Sequence, residues 1–150
     1  MTVERTLSII KPDGVAKNSI GEIYSEIEDH DLRIIATKMI RLTREQAEEL
    51  YAEHKGKDFF DGYMDFMCSG PVLVQVLEGE NTIALWREIM GPTDPQKAEI
   101  WDFSIRATLG TEMPRNVVHG SDSPESAERE IEFFFEPDEI YPRESLTNQS

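Results

Sequence analysis

Short apolar runs and helix-period stripes take turns along this chain, and that alternation limits it to a sheet covered by helices. Val3–Ile10 is rich in β-branched and apolar residues and reads as a strand. Lys11-Pro12-Asp13-Gly14 then supplies turn chemistry, with Pro12 fixing φ and Gly14 permitting positive φ. Ser19 and Glu22 fit a capping box ahead of Ile20, Ile23, Tyr24 and Ile27 at helical spacing. Residues 33–42 predict a second strand. Thr43 and Gln46 repeat the capping-box pattern before Ala47, Leu50 and Tyr51. Residues 59–67 predict a short helix stopped by Ser69-Gly70-Pro71, and 72–77 form the clearest strand. Asn81 is placed to cap a helix carrying Ile83, Trp86, Ile89 and Met90, which Gly91-Pro92 ends. Residues 93–115 are the least regular. Val117-Val118 predicts a short strand, and Ser123 with Pro124 opens a last helix. Taken alone, this order suggests a parallel doubly wound sheet, yet neither G-x-x-x-x-G-K-[ST] nor G-x-G-x-x-G is present to cradle a phosphate.

At 150 residues the chain is the size of one domain, and 39% hydrophobic with 30% charged residues suits a soluble globular protein. No apolar run approaches the roughly 20 residues a membrane span needs. The opening Met1-Thr2-Val3-Glu4-Arg5 lacks the apolar segment of an export signal, and Cys68, the one cysteine, excludes an internal disulfide; both point to the cytoplasm. Thirty acidic against fifteen basic residues give a formal charge of −15. That reads as a solvated surface, with salt adaptation as the second reading. It repels polyanions, which argues against nucleic-acid binding. A phosphorylated substrate would need a few local cations to overcome this field.

The strongest chemical signal is Asn116-Val117-Val118-His119-Gly120-Ser121-Asp122-Ser123. His119 lies between a short strand and a capped helix start, Gly120 allows a tight turn, and Ser121 and Asp122 add a hydroxyl and a carboxylate. Such an imidazole can act as a nucleophile toward a phosphoryl group; it can equally be a structural histidine. Glu130 falls on the helix face of Ala127, Ile131 and Phe134, where a carboxylate is costly unless paired. Pairing with His119 would fix the ring tautomer; a helix-edge glutamate reaching water is the alternative. Lys11 follows a strand end and can point into a cleft or into solvent. Arg87, Thr93 and Arg106 name no function by themselves. His30 and His54 have no partner at metal-ligand spacing and read as surface residues.

Together these residues resemble the nucleoside diphosphate kinase family, from Val3 to about Phe135. The resemblance rests on Glu4-Arg5-Thr6-Leu7 through Ile10-Lys11-Pro12-Asp13-Gly14, on Phe59-Phe60, on Ser69-Gly70-Pro71, on Leu77-Glu78-Gly79-Glu80-Asn81, and on the 116–123 segment. It implies a ferredoxin-like α+β fold, an antiparallel four-stranded βαββαβ sheet covered by helices, with residues 43–67 as an inserted helical hairpin. It implies a kinase domain over 1–135 and a polar tail over 136–150. It further implies transfer of the γ-phosphate of a nucleoside triphosphate, mainly ATP, to nucleoside diphosphates by ping-pong kinetics through a phosphohistidine at His119, on Nδ1.

Carried over by resemblance, Lys11 would balance phosphoryl charge and touch the ribose. Arg87 and Arg106 would grip phosphate oxygens, and Thr93 would donate to phosphate. Phe59 would stack on the base, Asn116 would bond a sugar hydroxyl, and Tyr51 would hold the phosphoryl region. Ser121 and Glu130 would support His119. Mg2+ would arrive with the nucleotide, with Asp122 reaching it through water. A homo-oligomer, hexamer or tetramer built from dimers, is implied as well. The alternative within the same fold is a nucleotide-binding module that has lost transfer. The chain departs from the family pattern at 98–104, where Trp101 is unusual. It departs again at Tyr63 and Met113, where smaller aliphatic residues near the base are common.

Overall fold

A computed structural model describes residues 3–143 of the chain. Four strands, β1 (Val3–Ile10), β2 (Arg33–Ile40), β3 (Val72–Glu80) and β4 (Val118–Gly120), form one sheet in the order β2-β3-β1-β4. Every neighbouring pair is antiparallel. The parallel sheet suggested by element order is therefore wrong, and the ferredoxin-like arrangement is right. The reason is geometric. β1 and β2 run the same way but are separated by β3, while β3 and β4 run the same way but are separated by β1. Two crossover units interleave, so each strand meets an opposed neighbour.

β1 and β3 are central and sandwiched, which is why Thr6–Ile10 and Val72–Gly79 read as unbroken buried runs. One face packs Leu7, Ile9, Val74 and Val76 against α3 (Arg44–Leu50), α4 (Phe60–Met67) and α7 (Pro124–Phe134). The other packs Ile10, Leu73 and Leu77 against α2 (Ile20–Asp29) and α5 (Thr82–Met90). Two short helices, α1 (Pro12–Ala16) and α6 (Ile105–Leu109), complete the fold. α3 and α4 form the inserted hairpin, clasped by Arg44, whose guanidinium reaches both Asp61 and Asp65.

Local rules succeed unevenly. Thr43 and Gln46 form the reciprocal capping box, and the Ser123 hydroxyl accepts from the Ser126 N–H. Ser19 and Asn81 do not cap with their side chains, and Asn81 takes a left-handed conformation at φ 52°. The start of α5 is satisfied instead by Glu4, whose carboxylate accepts the Ile83 N–H at 2.9 Å. Gly14 and Gly120 are not at positive φ. A Cβ on Gly14 would lie 2.9 Å from Val117 Cγ1, and one on Gly120 would lie 2.5 Å from the Trp86 ring. Both glycines permit close approach rather than a special turn. Beyond α7, Pro137–Glu139 make one 3-10 turn, and the Tyr141 N–H donates to the Ile35 carbonyl, 2.8 Å away, at a bulge in β2. Residues 144–150 of the expected polar tail lie outside the described residues.

Candidate active site

The histidine is aimed by a strained turn. Val117 adopts φ 73°, an unusual conformation for a β-branched residue. Its carbonyl accepts from the Lys11 N–H at 2.7 Å, and its own N–H donates to Asp13 Oδ2 at 3.1 Å. The 11–14 turn thus clamps the backbone that feeds β4. The predicted strand begins one residue late for this reason, at Val118. His119 then sits opposite Ile9, on the α3/α4/α7 face. The Trp86 indole donates to its carbonyl at 3.2 Å.

The His119 side chain is 15% exposed. Its Nε2 lies 2.8 Å from Glu130 Oε1, the same oxygen that accepts the Ser121 hydroxyl at 3.0 Å. Ser121 Oγ in turn accepts the Leu7 N–H. A carboxylate is an acceptor only, so Nε2 is the protonated nitrogen and Nδ1 keeps its lone pair. Tyr51 stands edge-on to the imidazole, with ring centres 5.8 Å apart. Among the described residues the buried Tyr51 hydroxyl has no hydrogen-bond partner; burial, reinforced by the neighbouring Tyr63 hydroxyl, pushes its pKa well up.

A second net holds cations. The Lys11 ammonium donates to the Tyr63 hydroxyl and to Asn116 Oδ1, both at 2.7 Å. Asn116 Nδ2 donates to the Thr93 carbonyl at 2.8 Å. The Arg106 guanidinium donates to the carbonyls of Asn116, Gly91 and Val118. An arginine has five N–H groups, so two remain for an anion. Burial lowers the pKa of Arg106 to about 10, helped by repulsion from Arg87, and it stays charged at neutral pH. The two nets share the backbone of residues 116–118 and meet again where Tyr51 packs on Tyr63, 4.9 Å between centres.

The remaining expected residues lie at the rim. Phe59, just ahead of α4, is 52% exposed, with His54 and Lys57 beside its ring. Arg87 and Thr93 are exposed. Thr93 enters the network through its carbonyl, not its hydroxyl. Asp122 is exposed, and the Ser126 hydroxyl beside it lowers its pKa, so it stays ionised. Neither His30, bonded to the Glu26 carbonyl, nor His54, beside Lys57, joins either net. An apolar groove of about 820 Å³ between β1, α7 and the 137–142 segment does not include His119.

The sequence matches the family model for nucleoside diphosphate kinase over residues 4–140. The chain belongs to the nucleoside diphosphate kinase family. Among solved structures it is similar to an Aquifex aeolicus nucleoside diphosphate kinase, at 47% identity and TM-score 0.90, with 93% of this chain and 99% of that one covered. It is also similar to a halophilic nucleoside diphosphate kinase from Halobacterium salinarum in complex with CDP, at 39% identity and TM-score 0.92, covering 99% and 97%. It is an enzyme of this kinase family.

Two residues of the kinase site escaped the sequence reading. Asp13 was legible only as a turn residue, although it holds the strained Val117 N–H and is buried. Tyr63, which the resemblance puts near the base, also meets Lys11 through its hydroxyl. Among the described residues no group of three or more His, Cys, Asp or Glu side chains could cage a metal. A nucleotide-borne Mg2+ fits this donor set, since it keeps its waters and takes most ligands from phosphate. Among the described residues of the site, Asp122 is an exposed, ionised carboxylate that would reach such an ion.

Proposed function

We propose that this protein transfers the γ-phosphate of ATP and other nucleoside triphosphates to nucleoside diphosphates, and so maintains nucleotide pools. The observation that carries the reading is the chain Ser121–Glu130–His119, with contacts of 3.0 and 2.8 Å, which turns Nδ1 out as the nucleophile. Nδ1 attacks the γ-phosphorus. The bond from that phosphorus to the β-bridging oxygen breaks, and the diphosphate leaves with the electron pair. Glu130 stabilises the positive charge the ring acquires. A β-phosphate oxygen of a second diphosphate then attacks the same phosphorus and the N–P bond breaks. One pocket serves both nucleotides, because each leaves before the next binds.

Lys11 and Arg106 stabilise the spread charge of the transferring group, with Arg87 closing from the rim. Thr93 donates to phosphate and Tyr51 walls the phosphoryl region. Phe59 stacks on any base, which permits broad specificity, and Asn116 meets the sugar. Mg2+, reached by Asp122 through water, would neutralise phosphate oxygens when bound. The same proposal places the enzyme in the cytoplasm, in keeping with its single thiol, and among no nucleic-acid or membrane partners. It assembles as a homo-oligomer, hexamer or tetramer built from dimers. Exposed Ile100, Trp101 and Phe103 offer apolar surface for such contacts.

Initial rates with ATP and a second diphosphate test the mechanism. Parallel double-reciprocal lines are expected, with exchange falling roughly a thousandfold or more in His119→Ala. Intersecting lines, or a mutant near wild type, would contradict it. A binding module without transfer would take up nucleotide and exchange nothing.

A further inference from the structure

Lys11 is 3% exposed and carries an ammonium. Among the described residues it makes no ion pair within 4.0 Å; Asp13 acts on it through space, and its hydrogen bonds go to neutral oxygens. Buried charges are tolerated only when hydrogen-bonded. Asn116 supplies one acceptor and Tyr63 the other, each 2.7 Å away. The Tyr63 ring also faces the ammonium, 5.1 Å from ring centre to Nζ. Tyr63 is itself held: its ring packs on Tyr51, which stands against His119. An ammonium has three N–H groups, and these two contacts leave one. A lysine stem has many rotamers, so an unrestrained ammonium would lose freedom on meeting phosphate.

We propose that Tyr63 is a positioning residue: with Asn116 it fixes the Lys11 ammonium before nucleotide arrives, leaving one N–H for the transferring phosphoryl group. This rests on the kinase reading above. Tyr63 thereby acts on the phosphate end of the site, although the resemblance puts its position near the base.

Tyr63→Phe keeps the ring and its packing on Tyr51 and deletes only the hydroxyl. Removing one hydrogen bond from a charged group should lower kcat about tenfold, with KM for the diphosphate changing less and the thermal midpoint nearly constant. In a Lys11→Met background the same substitution should have no further effect, because Tyr63 works through that lysine. A kcat within twofold of wild type overturns the proposal, as does an equal loss in both backgrounds. The ammonium 15N–1H resonance of Lys11 in free protein needs no turnover. It should shift and exchange faster with water in Tyr63→Phe, and an unchanged resonance rejects the contact. Failure of the wild type to exchange phosphate would sink the kinase reading alone, since that resonance still decides whether Tyr63 holds the lysine.

Discussion

In the proposed site His119 serves the phosphate end and Phe59 the base end, and the two are built differently. The His119 side chain is 15% exposed, tied to Glu130 and walled by Tyr51. Phe59 is 52% exposed and flanked by His54 and Lys57. Around the histidine, Arg106, Lys11 and Asn116 are buried and already bonded; around the phenylalanine stand the side chains of His54 and Lys57. A group that must meet a transition state gains from being fixed before substrate arrives. A platform for many bases gains from staying open, since stacking asks for a face and not a register. Substitutions at the first end should therefore cost kcat and often stability, and those at the second should cost KM.

Arg106→Ala is the widest test. It removes the proposed phosphate donor and the three contacts to the carbonyls of Gly91, Asn116 and Val118. Exchange should fall about a hundredfold or more, with a lowered thermal midpoint. Arg41→Ala, at an exposed arginine of the hairpin side, should move neither by much. Comparable small effects from both would contradict the role given to Arg106 at the histidine end.

Glu130→Gln should come next. The amide oxygen can still accept from His119 and Ser121, so the fold and the tautomer survive while the charge is lost. A fall in kcat of about tenfold or more is expected, with KM little changed, measured by exchange rates over a range of diphosphate concentration. Phe59→Ala should reverse the pattern. KM should rise about tenfold for every base, with kcat and thermal stability nearly unchanged.

The smallest effect concerns Asp13. Burial raises its pKa above 3.8, against the opposing pull of Lys11. In the window from 3.8 up to that raised value the folded state holds more protons than the unfolded chain. Stability contributed through this group therefore falls as pH rises across the window. Asp13→Asn can still accept from Val117 and does not ionise. Chemical denaturation at several pH values should show a shallower loss for the variant there, and a steeper one would contradict the assignment.

How legible all this was depended on whether a feature is local. The stripe of Ala127, Glu130, Ile131 and Phe134 put a carboxylate on an apolar face, and all four are buried. Thr43 and Gln46 cap as spaced because both partners lie within one turn. Asn81 failed because the Ile83 N–H donates instead to the carboxylate of Glu4, far away in sequence and brought near only once β1 lies beside β3. The interleaving of two crossovers leaves no mark on element order, so a parallel sheet looked equally reasonable. Gly14 and Gly120 were expected for their dihedral freedom, but what they provide is room for Val117 and Trp86. The resemblance to a known family corrected the sheet topology and left the cap and the glycines to the structure.

The central claim is that one imidazole carries the phosphoryl group between two nucleotides. Mixing the protein with γ-labelled ATP and no acceptor, then mapping the label, tests it directly. The account predicts close to one acid-labile, base-stable phosphoryl group per chain on His119 Nδ1, discharged by added diphosphate. Rapid exchange with no label on that residue would contradict it.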